Sequence, residues 1–95
     1  MNRVYKKRHY NLYQYGNEYI IHNTRKEFSV GHSHINNYKT AVFLIDLSLH
    51  KSVPKHICNY FLESLCRISD DRKYIDKLRA LIRQREIERK PKAKR

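Results

Sequence analysis

The rhythm of apolar and polar residues changes near the middle of the chain. Before Gly31 it is short. Tyr10-Asn11-Leu12-Tyr13-Gln14-Tyr15 is rich in strand-favouring aromatics, Gly16-Asn17 is a two-residue turn signal, and Glu18-Tyr19-Ile20-Ile21-His22 reads as the returning strand. Asn23-Thr24-Arg25-Lys26 marks a second turn, and Glu27-Phe28-Ser29-Val30 alternates like a third, half-buried strand. Past Asn36 the spacing becomes helical. Asn36 or Asn37 can cap a helix through about His50, with Tyr38, Ala41, Val42, Ile45 and Leu49 in one stripe and Phe43, Leu44 and Leu47 widening it.

Ser52-Val53-Pro54 has the serine cap and first-turn proline of a second helix running to about Ile68, with Ile57, Cys58, Phe61, Leu62, Leu65 and Ile68 inward. Ser69, Asp70 and Asp71 open a third helix and put acids at its positive end. Tyr74, Ile75, Leu78, Leu81 and Ile82 form its apolar stripe, and Pro91 stops it. The expected fold class is α+β: a small N-terminal antiparallel β-meander of about three strands packed against three C-terminal helices.

Ninety-five residues suit one small domain. The charge divides the chain further. Of a net charge of +12, nine units fall within residues 1–10 and 83–95, and the middle is close to ordinary. The expected organisation is therefore a basic N-terminal arm (1–9), one α+β domain (10–88) and a basic C-terminal tail (89–95). The longest apolar run, Ala41 to Ile45, is far too short to span a membrane, and no apolar stretch follows the first basic residues as a secretory leader would require. Cys58 and Cys66, eight residues apart on one expected helix, are too distant for an intramolecular disulfide and read as buried free thiols, which suits a cytoplasmic protein.

Basic arms are common attachments to polyanions. The N-terminal candidates for binding nucleic acid or an acidic partner are Arg3, Lys6, Lys7 and Arg8, interleaved with Tyr10, Tyr13 and Tyr15. Cations of this kind hold a phosphate backbone while aromatic rings stack on unpaired bases. Lys51, Lys55 and His56 crowd the junction of the first two helices, where cations and free N–H groups offer an anion pocket. Arg72, Lys73, Arg79 and Arg83 give the third helix a cationic outer face suited to a groove. Arg89, Lys90, Lys92, Lys94 and Arg95 complete the set in the tail.

His32 and His34, two apart, could share a metal on a strand, but no spacing supplies further ligands, so neither a metal nor a cofactor is expected. Asp46–His50 and Glu63–Arg67 have the spacing of helix-surface pairs. No nucleophile or phosphate-loop motif is present, and no enzymatic activity is expected. The sequence thus suggests a small non-enzymatic accessory or regulatory protein that binds DNA or RNA. Its richness in Asn, Ile, Lys and Tyr is common in phages and other mobile elements. The alternatives are an inhibitor or adaptor of a host or defence protein that itself handles nucleic acid, and a ribosome-associated protein. A homodimer through an exposed edge at Tyr10–Tyr15 is a further possibility.

Overall fold

The computed structural model of the protein describes residues 1–89. Four strands come first: β1 (Asn2–Lys7), β2 (Tyr10–Tyr15), β3 (Glu18–Asn23) and β4 (His32–Ile35). They form an antiparallel meander in the order β1-β2-β3-β4. Three helices follow: α1 (Tyr38–His50), α2 (Asn59–Ile68) and α3 (Arg72–Arg89). The fold is α+β, as the periodicity indicates, with one strand more than expected.

That strand is β1. Residues expected to lie outside the domain as an arm pair with β2, with Lys7 opposite Tyr10 and Tyr5 opposite Leu12. Val4 is the extra residue of a bulge between the Arg3 and Tyr5 pairs. Consequently Tyr10–Tyr15 is not an edge, since β2 lies between β1 and β3. The true edges are both blunted. β1 carries the bulge and the exposed cations Arg3 and Lys6, and on β4 the Tyr60 hydroxyl caps the His34 carbonyl at 2.6 Å.

Glu27–Val30 is a turn, not a strand, with the Gly31 N–H returning to the Glu27 carbonyl at 2.9 Å. The strand lies just beyond it, in His32-Ser33-His34-Ile35. Its polarity hides it. The inward Ser33 is buried because its hydroxyl donates to Ser64 Oγ at 2.8 Å.

α1 begins where the sequence indicates, with Asn37 Oδ1 accepting the Thr40 N–H at 2.9 Å. It packs on the middle of the sheet through Ala41, Leu44 and Ile45. α2 starts at Asn59, seven residues after Ser52. The carbonyls that an earlier start would commit to helical bonds are taken by side chains of α3. The Tyr74 hydroxyl donates to the Ser52 carbonyl at 2.7 Å, and Arg85 reaches the carbonyls of Lys55 and Ile57. Cys58 is therefore the exposed residue before α2 and not a buried helical one; both thiols are free. Asp71 caps α3, accepting N–H bonds from Lys73 and Tyr74 at 2.9 and 3.2 Å. Leu12, Ile21 and Ile35 of the sheet meet Leu44, Ile45, Leu62, Leu65, Ile68 and Leu78 in one core. No helix among the described residues is long and apolar enough to cross a membrane.

Candidate nucleic-acid interface

All three helices lie on one side of the sheet, so strand alternation decides what the other side presents. The helix-facing set is fixed by its contacts. Leu12 and Ile21 enter the core, the Asn23 amide donates to the Ile68 carbonyl at 2.8 Å, and Lys7 donates to Asp46 on α1 at 2.8 Å. The residues between them face away. Reading across the register, Arg3 pairs with Tyr13 and Tyr13 with Ile20, which pairs with His34; Lys6 pairs with Asn11 and Asn11 with His22, which pairs with His32. Tyr15 and Glu18 close the row at the Gly16-Asn17 turn. None of α1–α3 covers this face.

Its centre is apolar and aromatic. Ile20 is buried beneath its neighbours, Tyr13 is half-buried, and Tyr15 is 64% exposed. Phe28 folds back from the β3–β4 loop and stacks on His32, with ring centroids 4.4 Å apart and planes within 4°. It meets His22 edge-on at 5.2 Å, and His32 in turn touches His34 at 5.1 Å. The imidazole N–H groups are anchored: His22 to the Lys26 carbonyl at 3.0 Å, and His34 to Glu18 at 2.7 Å. One group is left over. Asn11 is only 8% exposed, its amide N–H donates to the Tyr13 oxygen at 3.2 Å, and its Oδ1 has no partner. A buried carbonyl oxygen without a donor costs roughly 1–3 kcal/mol.

The candidate residues from the sequence divide accordingly. Arg3, Lys6, Tyr13 and Tyr15 come together on the open face. Tyr10 does not. It points to the helices, shares a short buried hydrogen bond with Ser48, and burial raises its pKa. Lys7 is held by Asp46, whose hydrogen bond raises the lysine pKa. Arg8 forms the β1–β2 turn with φ 54°.

The junction of α1 and α2 is not the cationic helix start that the sequence suggests. Lys51 pairs with Asp71 at 3.2 Å, and Lys55 and His56 lie in the loop before α2. Arg72 and Lys73 are exposed in the first turn of α3, whereas Arg79 and Arg83 line a groove described below. Arg89 ends α3; Lys90, Lys92, Lys94 and Arg95 lie outside the described residues. Two expected pairs are not made. His50 bonds the Asp46 backbone carbonyl while the Asp46 carboxylate takes Lys7, and Arg67 turns to Ser33 and Ser64 and not to Glu63.

Sequence reasoning missed Phe28 and His22. The histidine spacing at 32 and 34 was a usable signal for shared facing, but the turn that sets Phe28 between His22 and His32 was not visible. Among the described residues no group of three or more His, Cys, Asp or Glu side chains is arranged to hold a metal ion. No protein-family model matches the chain, and no curated protein or solved structure is detectably similar to it.

Proposed function

We propose that the protein is a non-catalytic binder of single-stranded nucleic acid that uses the open face of its sheet. The observation that carries this reading is the composition of that face: Tyr13 and Tyr15 on β2 stand next to the β1 cations Arg3 and Lys6, and the Phe28–His32 stack lies across the sheet at the β4 edge, on a surface that none of α1–α3 covers. Unpaired bases stack on such rings, and the flanking cations hold the phosphates. The net charge of +12 adds long-range attraction to any polyanion. A cytoplasmic accessory role of the kind found in mobile elements accords with the free thiols and the composition.

The test is fluorescence anisotropy with single-stranded RNA, single-stranded DNA and duplex DNA across a salt series. Single strands bind more tightly than duplex near physiological salt. Tyr13→Ala and Tyr15→Ala each weaken binding by roughly 5- to 100-fold, as loss of about 1–3 kcal/mol of stacking per base implies. Equal affinity for duplex, or binding indifferent to both tyrosines, removes the sheet from consideration. In that case a pull-down for an acidic protein partner takes priority.

A further inference from the structure

A second surface is built on the helix side of the molecule, where the β3–β4 loop, α2 and α3 enclose a groove of about 540 Å³. Four cations line it: Lys26 from the loop, Arg67 from α2, and Arg79 and Arg83 from α3. Two of them are fixed in place. The Lys26 ammonium donates to the Arg67 and Ser69 carbonyls at the end of α2, at 2.8 and 3.1 Å. One Arg67 nitrogen donates to Ser33 and Ser64 at 3.1 and 3.4 Å, leaving the rest of its fork unengaged by these bonds. Arg79 and Arg83 stand one turn apart on α3, about 6 Å along the axis.

Glu63 and Glu86 share the groove, yet the ion pairs among the described residues join neither of them to Arg67, Arg79 or Arg83. Two apolar side chains stand among the charges. Val30, 59% exposed, and Ile82 both line the space, and burial raises the pKa of the Cys66 thiol beside them.

We infer that this groove binds a phosphate ester with a flat organic part, a nucleotide, either free or at the end of a strand. A doubly charged phosphate asks for more than one cation, and guanidinium forks match its oxygens two at a time. The two apolar side chains suit a base or sugar face, and the two carboxylates can accept from its N–H and O–H groups. The volume falls within the range of small-molecule sites. This site does not depend on the open sheet face and is tested separately.

Cys66 supplies the readout. In a Cys58→Ser background it is the remaining thiol, and alkylation by iodoacetamide at mildly alkaline pH, followed by mass spectrometry, reports whether the groove is filled. The probes are adenosine monophosphate, an oligonucleotide with a 5′-phosphate, the same oligonucleotide with a 5′-hydroxyl, and inorganic sulfate.

Protection by the mononucleotide assigns a free nucleotide. Protection by the 5′-phosphorylated strand alone assigns a strand end. In both cases Arg79→Gln combined with Arg83→Gln raises the concentration needed by about tenfold or more, equivalent to at least 1.4 kcal/mol. Among the described residues no side-chain hydrogen bond or ion pair holds either arginine, and both are exposed on α3, so the double variant is expected to keep the fold. Tyr13→Ala leaves the protection unchanged, which separates this site from the sheet. Three outcomes overturn the inference: no probe protects, sulfate protects as well as the nucleotide, or the double variant is protected like the parent.

Discussion

Asn23 holds together the segment on which both surfaces depend, and its removal is the most informative single perturbation. The side chain is fully buried at the end of β3. Its amide donates to the Ile68 carbonyl at 2.8 Å, and its Oδ1 accepts the Arg25 N–H at 2.8 Å. The first bond ties the sheet to the end of α2; the second starts the loop that carries Lys26, Phe28 and Val30. In Asn23→Ala the Ile68 carbonyl is left buried without its donor, at a cost of roughly 1–3 kcal/mol. The Arg25 N–H sits nearer solvent and adds about 1 kcal/mol at most. The expected loss is about 1–4 kcal/mol, or a Tm lower by roughly 4–30 °C for a domain of this size.

Asn23→Asp sharpens the test. Its carboxylate would face a carbonyl oxygen in a buried site, so the folded-state pKa is raised. A raised pKa contributes stability that is complete below the unfolded value of about 3.9 and is lost as pH rises through the folded value. The aspartate variant is therefore expected to be more stable than the alanine variant at pH 4.5 and to lose that advantage by pH 7.5. Urea unfolding of the parent and both variants at the two pH values measures this, and comparing the variants cancels the acid sensitivity of the rest of the chain. An alanine variant within 0.5 kcal/mol of the parent, which is about the scatter of ordinary surface substitutions, refutes the reasoning. So does a gap between the two variants that ignores pH.

Further predictions concern the loops and the charged groups. Arg85→Ala costs about 1.5–3 kcal/mol, because a charged fork is withdrawn from the Lys55 and Ile57 carbonyls and Asn59; Arg85→Lys does not restore it in denaturant melts, since an ammonium lacks the planar fork. Gly31→Ala destabilises by roughly 1–3 kcal/mol, as its Cβ would lie 2.6 Å from Lys26 Cβ and 3.2 Å from the Glu27 carbonyl oxygen. Gly16→Ala meets open space and loses only about 1–2 kcal/mol, from its φ of +61°. His9 has its pKa lowered by burial first and by Arg25, with Lys51 and Arg8 adding to the effect and Asp70 opposing it. Its contribution to stability is present above the unfolded value of about 6.5 and is lost as pH falls through the folded value. Thermal melts between pH 7.5 and 5 accordingly fall less steeply for His9→Gln, and an unchanged slope would count against the assignment.

How much of this was legible in the sequence follows from where each residue finds its partners. The β2–β3 hairpin, α1 and α3 were readable because their signals are local: aromatic alternation around Gly16-Asn17, the Asn37 cap and the Asp71 cap. β1 was misread as an arm because an edge strand with Arg3 and Lys6 outward and Lys7 turned to Asp46 has the composition of a tail. β4 was missed because one of its two inward residues is a serine, Ser33, acceptable only once Ser64 stands opposite. Pro54 marked a helix start that α3 prevents through Tyr74 and Arg85, residues twenty or more positions away. Similarly, strand periodicity puts Tyr13 and Tyr15 on one face and Tyr10 on the other, but only the helices determine that the Tyr10 face is the buried one.

The loop between β3 and β4 joins the two surfaces. The expected turn at Asn23–Lys26 is there, with the Lys26 N–H on the Asn23 carbonyl at 3.0 Å, but the expected strand is a second tight bend at Glu27–Gly31 that divides the side chains between two surfaces. Phe28 goes to the open sheet face and stacks on His32, while Lys26 and Val30 go to the groove beside α2 and α3. Gly31 permits the bend because Lys26 leaves no room for a Cβ, and Asn23 fixes its start to α2. One eight-residue connection therefore supplies parts to both proposed sites without belonging to the core of either. Loosening it through Asn23 should weaken strand binding on the sheet and expose Cys66 in the groove together. Substitutions at Tyr13 or Arg79, which lie on the rigid elements, should affect one surface and spare the other.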